Sequence, residues 1–165
     1  MAVLPRVLFF IAVVILHFSE AQNEFGKLPE SYRKGVKLAE EQVNSHNGVQ
    51  NHFLFFKSLE HSSIEAGFNV NYFYHHIHLK ATKCSRGTEN ADSKKCAFRN
   101  DRPVIDCTVC YKMFDGEIQM EPKPYIHCVH KPALSKEMEL ARIKHCNSMS
   151  VSSGSMTLLA SVGSD

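Results

Sequence analysis

The sequence contains no tryptophan and no Asn-x-Ser/Thr triplet, and the second absence predicts that no N-linked glycan is attached. It also lacks a nucleophile elbow, a phosphate-binding glycine loop and a paired-carboxylate motif in a supporting context. The net charge is only +2 at pH 7, which by itself says little about partners, and no nucleic-acid partner is predicted. These absences favour a protein that is not an enzyme and carries no cofactor.

Only one long apolar run occurs, and it lies at the N-terminus. Arg6 precedes Val7–Leu16, and Ser19-Glu20-Ala21 follows with small residues at the two positions that a signal peptidase reads. The run is shorter than the roughly 20 apolar residues that cross a bilayer. Residues 1–21 are therefore predicted to be a signal peptide, which gives a secreted, extracellular chain that begins at Gln22.

Six cysteines follow the predicted cleavage site. An even number of cysteines in a short secreted chain predicts disulfides, each of which stabilises a fold by roughly 2–4 kcal/mol. A structural zinc site is the alternative, but the chain has one CxxC and no second pair. A redox CxxC is disfavoured because the motif lies within a strand pattern and not at a helix start.

The pairing of the cysteines can be predicted from strand geometry. Cys107 and Cys110 are three residues apart on a predicted strand, so they point to opposite faces and need separate partners. Cys84 and Cys96 flank one loop, Cys128 lies on the return strand beside Cys107, and Cys146 is left for Cys110. Of the fifteen connectivities, the predicted pairs are Cys84–Cys96, Cys107–Cys128 and Cys110–Cys146.

Hydrophobic periodicity predicts the order helix, four strands, helix. A helix begins at Pro29 with its apolar stripe at Tyr32, Val36, Ala39 and Val43, and a short helix spans 135–145. The strands are predicted at 49–59, 68–82, 104–114 and 117–130, with a turn over 61–67, a bulge near Phe73, a hairpin at Asp115-Gly116 and an interruption at Pro122 and Pro124.

This pattern predicts an α+β domain over 22–146, with one long N-terminal helix packed on a four-stranded antiparallel sheet, a short C-terminal helix and three disulfides. Residues 147–165 are rich in serine and contain no lysine, arginine or aromatic residue. They have little to pack with and are predicted to be a flexible tail.

The cysteine spacing C-x11-C-x10-C-x2-C-x17-C-x17-C, the signal peptide and the element order resemble the chemerin family, the retinoic acid receptor responder proteins. The first two bridges alone are also similar to the cathelicidin pro-domain, whereas Cys107-Thr108-Val109-Cys110 and the late Cys146 favour chemerin. The resemblance covers Pro29 to Cys146 and implies a cystatin-like fold.

The resemblance also implies a function. Members of this family are secreted chemoattractants and adipokines that act on a G-protein-coupled receptor in inflammation and fat-cell metabolism, after a protease processes their C-terminal tail. The aromatic-rich motif of the family is absent here, and no lysine or arginine follows Lys144. Met156, Leu158 and Leu159 are therefore the candidate receptor-binding residues of the tail.

Two other functions stay open. The loop between Cys84 and Cys96 and its flanks are basic, which indicates heparan sulfate, anionic membrane surfaces or antimicrobial action. The basic-loop residues are Lys83, Arg86, Lys94, Lys95, Arg99 and Arg102. Cystatin-type inhibition of cysteine proteases is the other function, although residues 63–67 keep only the glycine of the inhibitory turn and the chain has no tryptophan.

His76 and His78 share one face of a predicted strand, which is a weak indication of a metal site. Such histidines are more often half-buried strand residues. The sequence is therefore interpreted as having no metal site.

Overall fold

The structure is a computed structural model and describes residues 24–152. The predicted signal peptide, residues 1–21, and the predicted tail residues Met156, Leu158 and Leu159 lie outside the described residues. Within residues 24–152, no helix is long and apolar enough to cross a membrane.

The described chain is α+β, as the sequence predicts, and its strands form one antiparallel sheet in the order β1-β2-β3-β4, with β5 also paired to β3. The elements are α1 (Glu30–Ser45), β1 (Asn51–Gly67), β2 (Val70–Ser85), β3 (Ile105–Phe114), β4 (Glu117–Ile118), β5 (Tyr125–His130), a 3-10 helix (Lys131–Ala133) and α2 (Lys136–Ser152). The three predicted disulfides are present: Cys107–Cys128 joins β3 to β5, Cys110–Cys146 joins β3 to α2, and Cys84–Cys96 joins the end of β2 to the loop that follows it.

Strands β4 and β5 are two parts of one interrupted return strand. β4 pairs with the end of β3 beside the Asp115-Gly116 hairpin, and β5 pairs with its first six residues. The segment between them contains both prolines, which cannot donate a ladder hydrogen bond. The predicted interruption is therefore confirmed, and it brings Cys128 directly opposite Cys107.

The β1–β2 hairpin is longer than predicted. β1 continues to Gly67, and the turn consists of Phe68 and Asn69, whose φ angles are 52° and 60°. The prediction of a turn over 61–67 is wrong because β1 is an edge strand of the described sheet, where polar side chains face water without breaking the ladder.

The predicted bulge near Phe73 is also wrong. β2 pairs with β3 without a register shift from Val70 to Leu79, and the irregularities lie in its pairing with β1, away from Phe73. The apolar pattern changes along β2 because both of its faces are covered. Ile77 and Leu79 lie in the main core with α1, whereas Tyr74 packs in a second cluster with the disulfide of α2.

Helix α1 packs on one face of the sheet through the predicted stripe Tyr32, Val36, Ala39 and Val43, all of which are buried. The helix backbone approaches the sheet closely at Gly35, where an added Cβ would lie 2.5 Å from the ring of Tyr111. Glu40 lies outside the apolar stripe and is also buried. Its carboxylate accepts the Phe55 N–H at 2.8 Å and pairs with Lys37, which accounts for its burial.

Helix α2 packs on the opposite face and has 17 residues, against 16 for α1. The predicted relative lengths, a long first helix and a short last one, are therefore wrong. Residues 147–152, assigned from the sequence to a flexible tail, belong to α2. Hydrophobic periodicity does not predict the full length of α2, because its buried residues, which include Arg142, Cys146 and Met149, do not form an apolar stripe.

Candidate functional site

The contact between α2 and the sheet contains a buried polar cluster centred on Arg142. This side chain is 1% exposed, and its guanidinium donates from Nη1 to Asp106 Oδ1 at 2.6 Å and from Nη2 to the Asp106 carbonyl at 3.1 Å. Its Nε–H donates to Nδ1 of His127 on β5 at 2.7 Å. The three donors thus join α2 to β3 and β5 at one point.

Two histidines of β2 complete this group. His76 Nε2 lies 2.9 Å from both oxygens of the Asp106 carboxylate, and His78 Nε2 lies 3.1 Å from Oδ2. A neutral imidazole protonated at Nε2 donates in both contacts, so the carboxylate accepts bonds from β2 and from α2. We call Arg142, Asp106, His76, His78 and His127 the Arg142 cluster.

The pKa of Asp106 is determined by its burial and by its neighbours in the Arg142 cluster. Burial alone raises the pKa of this carboxyl, but the hydrogen bonds from His76, His78 and Arg142 outweigh burial and hold the pKa far below its usual range. At neutral pH Asp106 is therefore a buried anion that contacts the buried cation of Arg142. Removing either charge would leave the other uncompensated.

A disulfide and two further contacts hold α2 beside this cluster. Cys146 is bonded to Cys110 of β3 with the two Cα atoms 5.6 Å apart, and Met149 packs in the same buried group. The ring of His145 stacks on Tyr125 with centroids 4.0 Å apart. Covalent, apolar and polar contacts together fix α2, which leads directly into residues 153–165.

The two hairpin tips at one end of the sheet lie side by side. The Asp115 N–H donates to the Asn69 carbonyl at 3.2 Å, and the Asn69 side chain donates to the Asp115 carboxylate at 3.2 Å. Phe68 is 94% exposed at the first tip, and Phe114 is half exposed at the second. Phe68 has a positive φ, which is unusual for a bulky residue, and its aromatic ring is exposed to solvent.

Residues 63–67, matched from the sequence to the inhibitory turn of cystatins, lie within β1 and not in the turn. The structure thus places Phe68 and Asn69 at the tip, next to the Asp115-Gly116 hairpin. Sequence reasoning missed this pair because the match was made on the glycine alone. The pair Phe68-Asn69 carries no sequence signal for a two-residue hairpin, because such turns favour Asn-Gly or Asp-Gly.

The basic-loop residues do not form one uniform cationic surface. Arg99 donates to Asp101 through Nε at 2.9 Å and through Nη2, and its Nη1 donates to the Asn51 side chain. Arg86 Nη1 donates to the His46 carbonyl at 2.7 Å. Lys83, Lys94, Lys95 and Arg102 are exposed. Binding of heparan sulfate or an anionic membrane surface stays a prediction that depends mainly on these four.

A second buried histidine lies under α1. His75 is 0% exposed, its Nε2 is 2.8 Å from Ser58 Oγ, and its Nδ1 has no hydrogen-bond partner among the described residues. The rings of Tyr32 and His61 pack against it. Burial, followed by the charges of His61 and His76, lowers the pKa of His75 to about 4.

Sequence reasoning identified the disulfides and the shared face of His76 and His78, but not the partners of these histidines. Asp106 and Arg142 are far apart in sequence, and nothing local marks either of them as buried. Over residues 24–152, no group of three or more His, Cys, Asp or Glu side chains is placed to hold a metal ion. No protein-family model matches the chain, and no curated protein matches it either. Its function is therefore inferred from the residues and their geometry.

His75 predicts a pH dependence of stability. Because its folded pKa of about 4 lies below the ordinary 6.5, the unfolded chain binds this proton more readily, and stability falls as pH decreases through this range. Between pH 7 and pH 4 the free energy of unfolding should decrease by about 3 kcal/mol less in His75→Gln than in the unmodified chain, as measured by urea denaturation. His130→Gln, an exposed histidine on β5, is the matched control. An unchanged pH dependence in His75→Gln would contradict the assignment.

Proposed function

We propose that this chain is a secreted, non-catalytic signalling protein of the chemerin type, a ligand of a G-protein-coupled chemoattractant receptor. In this proposal residues 24–152 are a folded carrier of the cystatin-like kind, and residues 153–165 are the receptor-binding segment. The observation that carries the proposal is the double attachment of α2, through Cys110–Cys146 and through Arg142, at the point where that segment begins.

The three disulfides support the proposed secretion. Bonds of this kind persist in oxidising compartments and are rare in the cytosol. Together with the N-terminal apolar run they are consistent with a secreted precursor that loses residues 1–21.

The attachment of α2 suits the delivery of a peptide to a receptor. A segment that is held near its start by a rigid body loses less conformational entropy on binding than a free peptide does. Met156, Leu158 and Leu159 supply large apolar side chains for a receptor pocket, in place of the aromatic residues of the family. The segment contains no lysine or arginine, so a protease that processes it would not be trypsin-like.

The test compares residues 22–165 with residues 22–152 in receptor-signalling and cell-migration assays. The truncation ends at the last residue of α2, so the folded part is kept intact. We expect activity only from the longer form, and loss of that activity when Met156, Leu158 and Leu159 are replaced together by serine. Replacing Ser153, Ser155 and Ser161 by alanine is the matched control and should leave activity unchanged. Equal activity of the two lengths would contradict the proposal.

The hairpin tips favour one second candidate, inhibition of a protease by insertion into its active-site cleft. Phe68 and Phe114 project from adjacent turns at one end of the sheet, and aromatic anchors of this kind often dominate protein interfaces. The charge at the neighbouring Glu65 and the absence of tryptophan reduce the likeness to inhibitory cystatins.

A titration of papain tests this candidate. We expect the intact chain to inhibit papain weakly. Phe68→Ala should weaken the inhibition constant about tenfold or more, which is the effect of removing a buried aromatic anchor. Met120→Ala, at an exposed apolar residue outside the hairpin tips, serves as the control. Absence of inhibition by the intact chain, or equal inhibition by Phe68→Ala, would eliminate the candidate.

A further inference from the structure

The hydrogen bond between Arg142 and His127 requires one particular protonation state. A guanidinium has five N–H donors and no acceptor, so His127 Nδ1 must present a lone pair to Arg142 Nε. A proton on Nδ1 would replace this bond by two N–H groups that point at each other and by two facing positive charges. This hydrogen bond between α2 and β5 therefore exists only while His127 is neutral.

The contacts of His76 and His78 do not depend on the same proton. Both histidines donate to the Asp106 carboxylate through Nε2 and keep this geometry whether neutral or charged. The bond between Arg142 and His127 is therefore the contact of the cluster that requires a neutral imidazole.

We propose that the Arg142 cluster is an acid-sensitive switch that holds α2 on the sheet at neutral pH and releases it when His127 is protonated. The released helix stays attached to β3 through Cys110–Cys146, so the change is a local undocking and not a dissociation. This inference concerns the docking of α2 and holds whether or not residues 153–165 bind a receptor.

The accessibility and surroundings of His127 fit this role. His127 is only partly buried, so protons can reach it from solvent. Burial, with the charge of Arg142 as the second cause, lowers its pKa from the ordinary 6.5. Docking of α2 therefore disfavours protonation of His127. Conversely, the free energy that holds α2 on the sheet decreases as pH falls below 6.5.

The other charged and titratable groups around the cluster do not supply the switch. Tyr125 stacks between His127 and His145, and a charged His145 would keep its contact as a cation over an aromatic ring. Tyr74 of β2 has a raised pKa, caused first by burial and then by Glu60 of β1 and Glu139 of α2, so it stays neutral in acid. These two glutamates are exposed and outside the hydrogen-bonded group.

Hydrogen exchange of the disulfide-bonded chain, residues 22–165, tests the proposal. Protection factors, which correct for the pH dependence of intrinsic exchange, are compared at pH 7.4 and pH 5.5. All forms compared carry His75→Gln, which removes the pH dependence of global stability predicted above. In this background we expect the amides of α2 to lose protection several-fold at pH 5.5 while those of β2 and β3 keep theirs. Unchanged protection of α2, or equal loss in α2 and the sheet, would overturn the proposal.

A variant assigns the effect to His127. In His127→Gln the side-chain oxygen can accept from Arg142 Nε but does not titrate, so α2 should stay protected at pH 5.5. His130→Gln, at the exposed end of β5, should behave like the unmodified chain. Loss of α2 protection in His127→Gln as large as in the unmodified chain would contradict the role of His127.

A second measurement on the unmodified chain keeps the test valid if His127→Gln does not fold. The ring resonances of His127 and the amide resonances of α2 are followed by NMR across pH 7.4 to 5. A shared midpoint supports the switch, and α2 resonances that do not follow the titration of His127 overturn it.

Discussion

The buried ion pair between Arg142 and Asp106 is the interaction on which the arrangement of the C-terminal half depends. Within residues 24–152 it is the only salt bridge between a lysine or arginine and a carboxylate in which both side chains are nearly inaccessible to solvent. Because neither charge can remain buried alone, the position of α2 is tied to β3 through this pair. The histidines on β2 and β5 add hydrogen bonds to the carboxylate of Asp106 and to the guanidinium of Arg142.

The two faces of the sheet are stabilised by different physical means. On one face α1 buries an apolar stripe over Ile77, Leu79 and Val109, where the hydrophobic effect dominates. On the other face α2 buries an arginine, a cystine and one methionine. A helix held by such directional contacts can respond to the protonation of one contacting histidine, His127. The core under α1 responds to acid through His75, whose pKa is lowered to about 4, so the two interfaces of the sheet differ in the pH at which they lose stability.

The sequence predicted the features that have local signals. The stripe of α1, the Asp115-Gly116 hairpin, the interruption at the prolines and the cysteine pairs each follow from periodicity, turn chemistry or strand parity. The true turn at Phe68 and Asn69 was missed because a phenylalanine at positive φ contradicts ordinary turn preferences. The length of α2 and the Arg142 cluster were missed because both depend on contacts between residues 106, 127 and 142, which only the tertiary structure brings together.

The central claim is that α2 is docked by a guanidinium that donates to a neutral imidazole. Nitrogen-15 NMR of the unmodified chain at pH 7.4 measures this directly, because the chemical shifts of the two ring nitrogens distinguish the tautomers and the cation. The account predicts that His127 carries its proton on Nε2 alone, with Nδ1 unprotonated and hydrogen-bonded to Arg142. A proton on Nδ1 of His127 at this pH, as the other tautomer or as the cation, would contradict it.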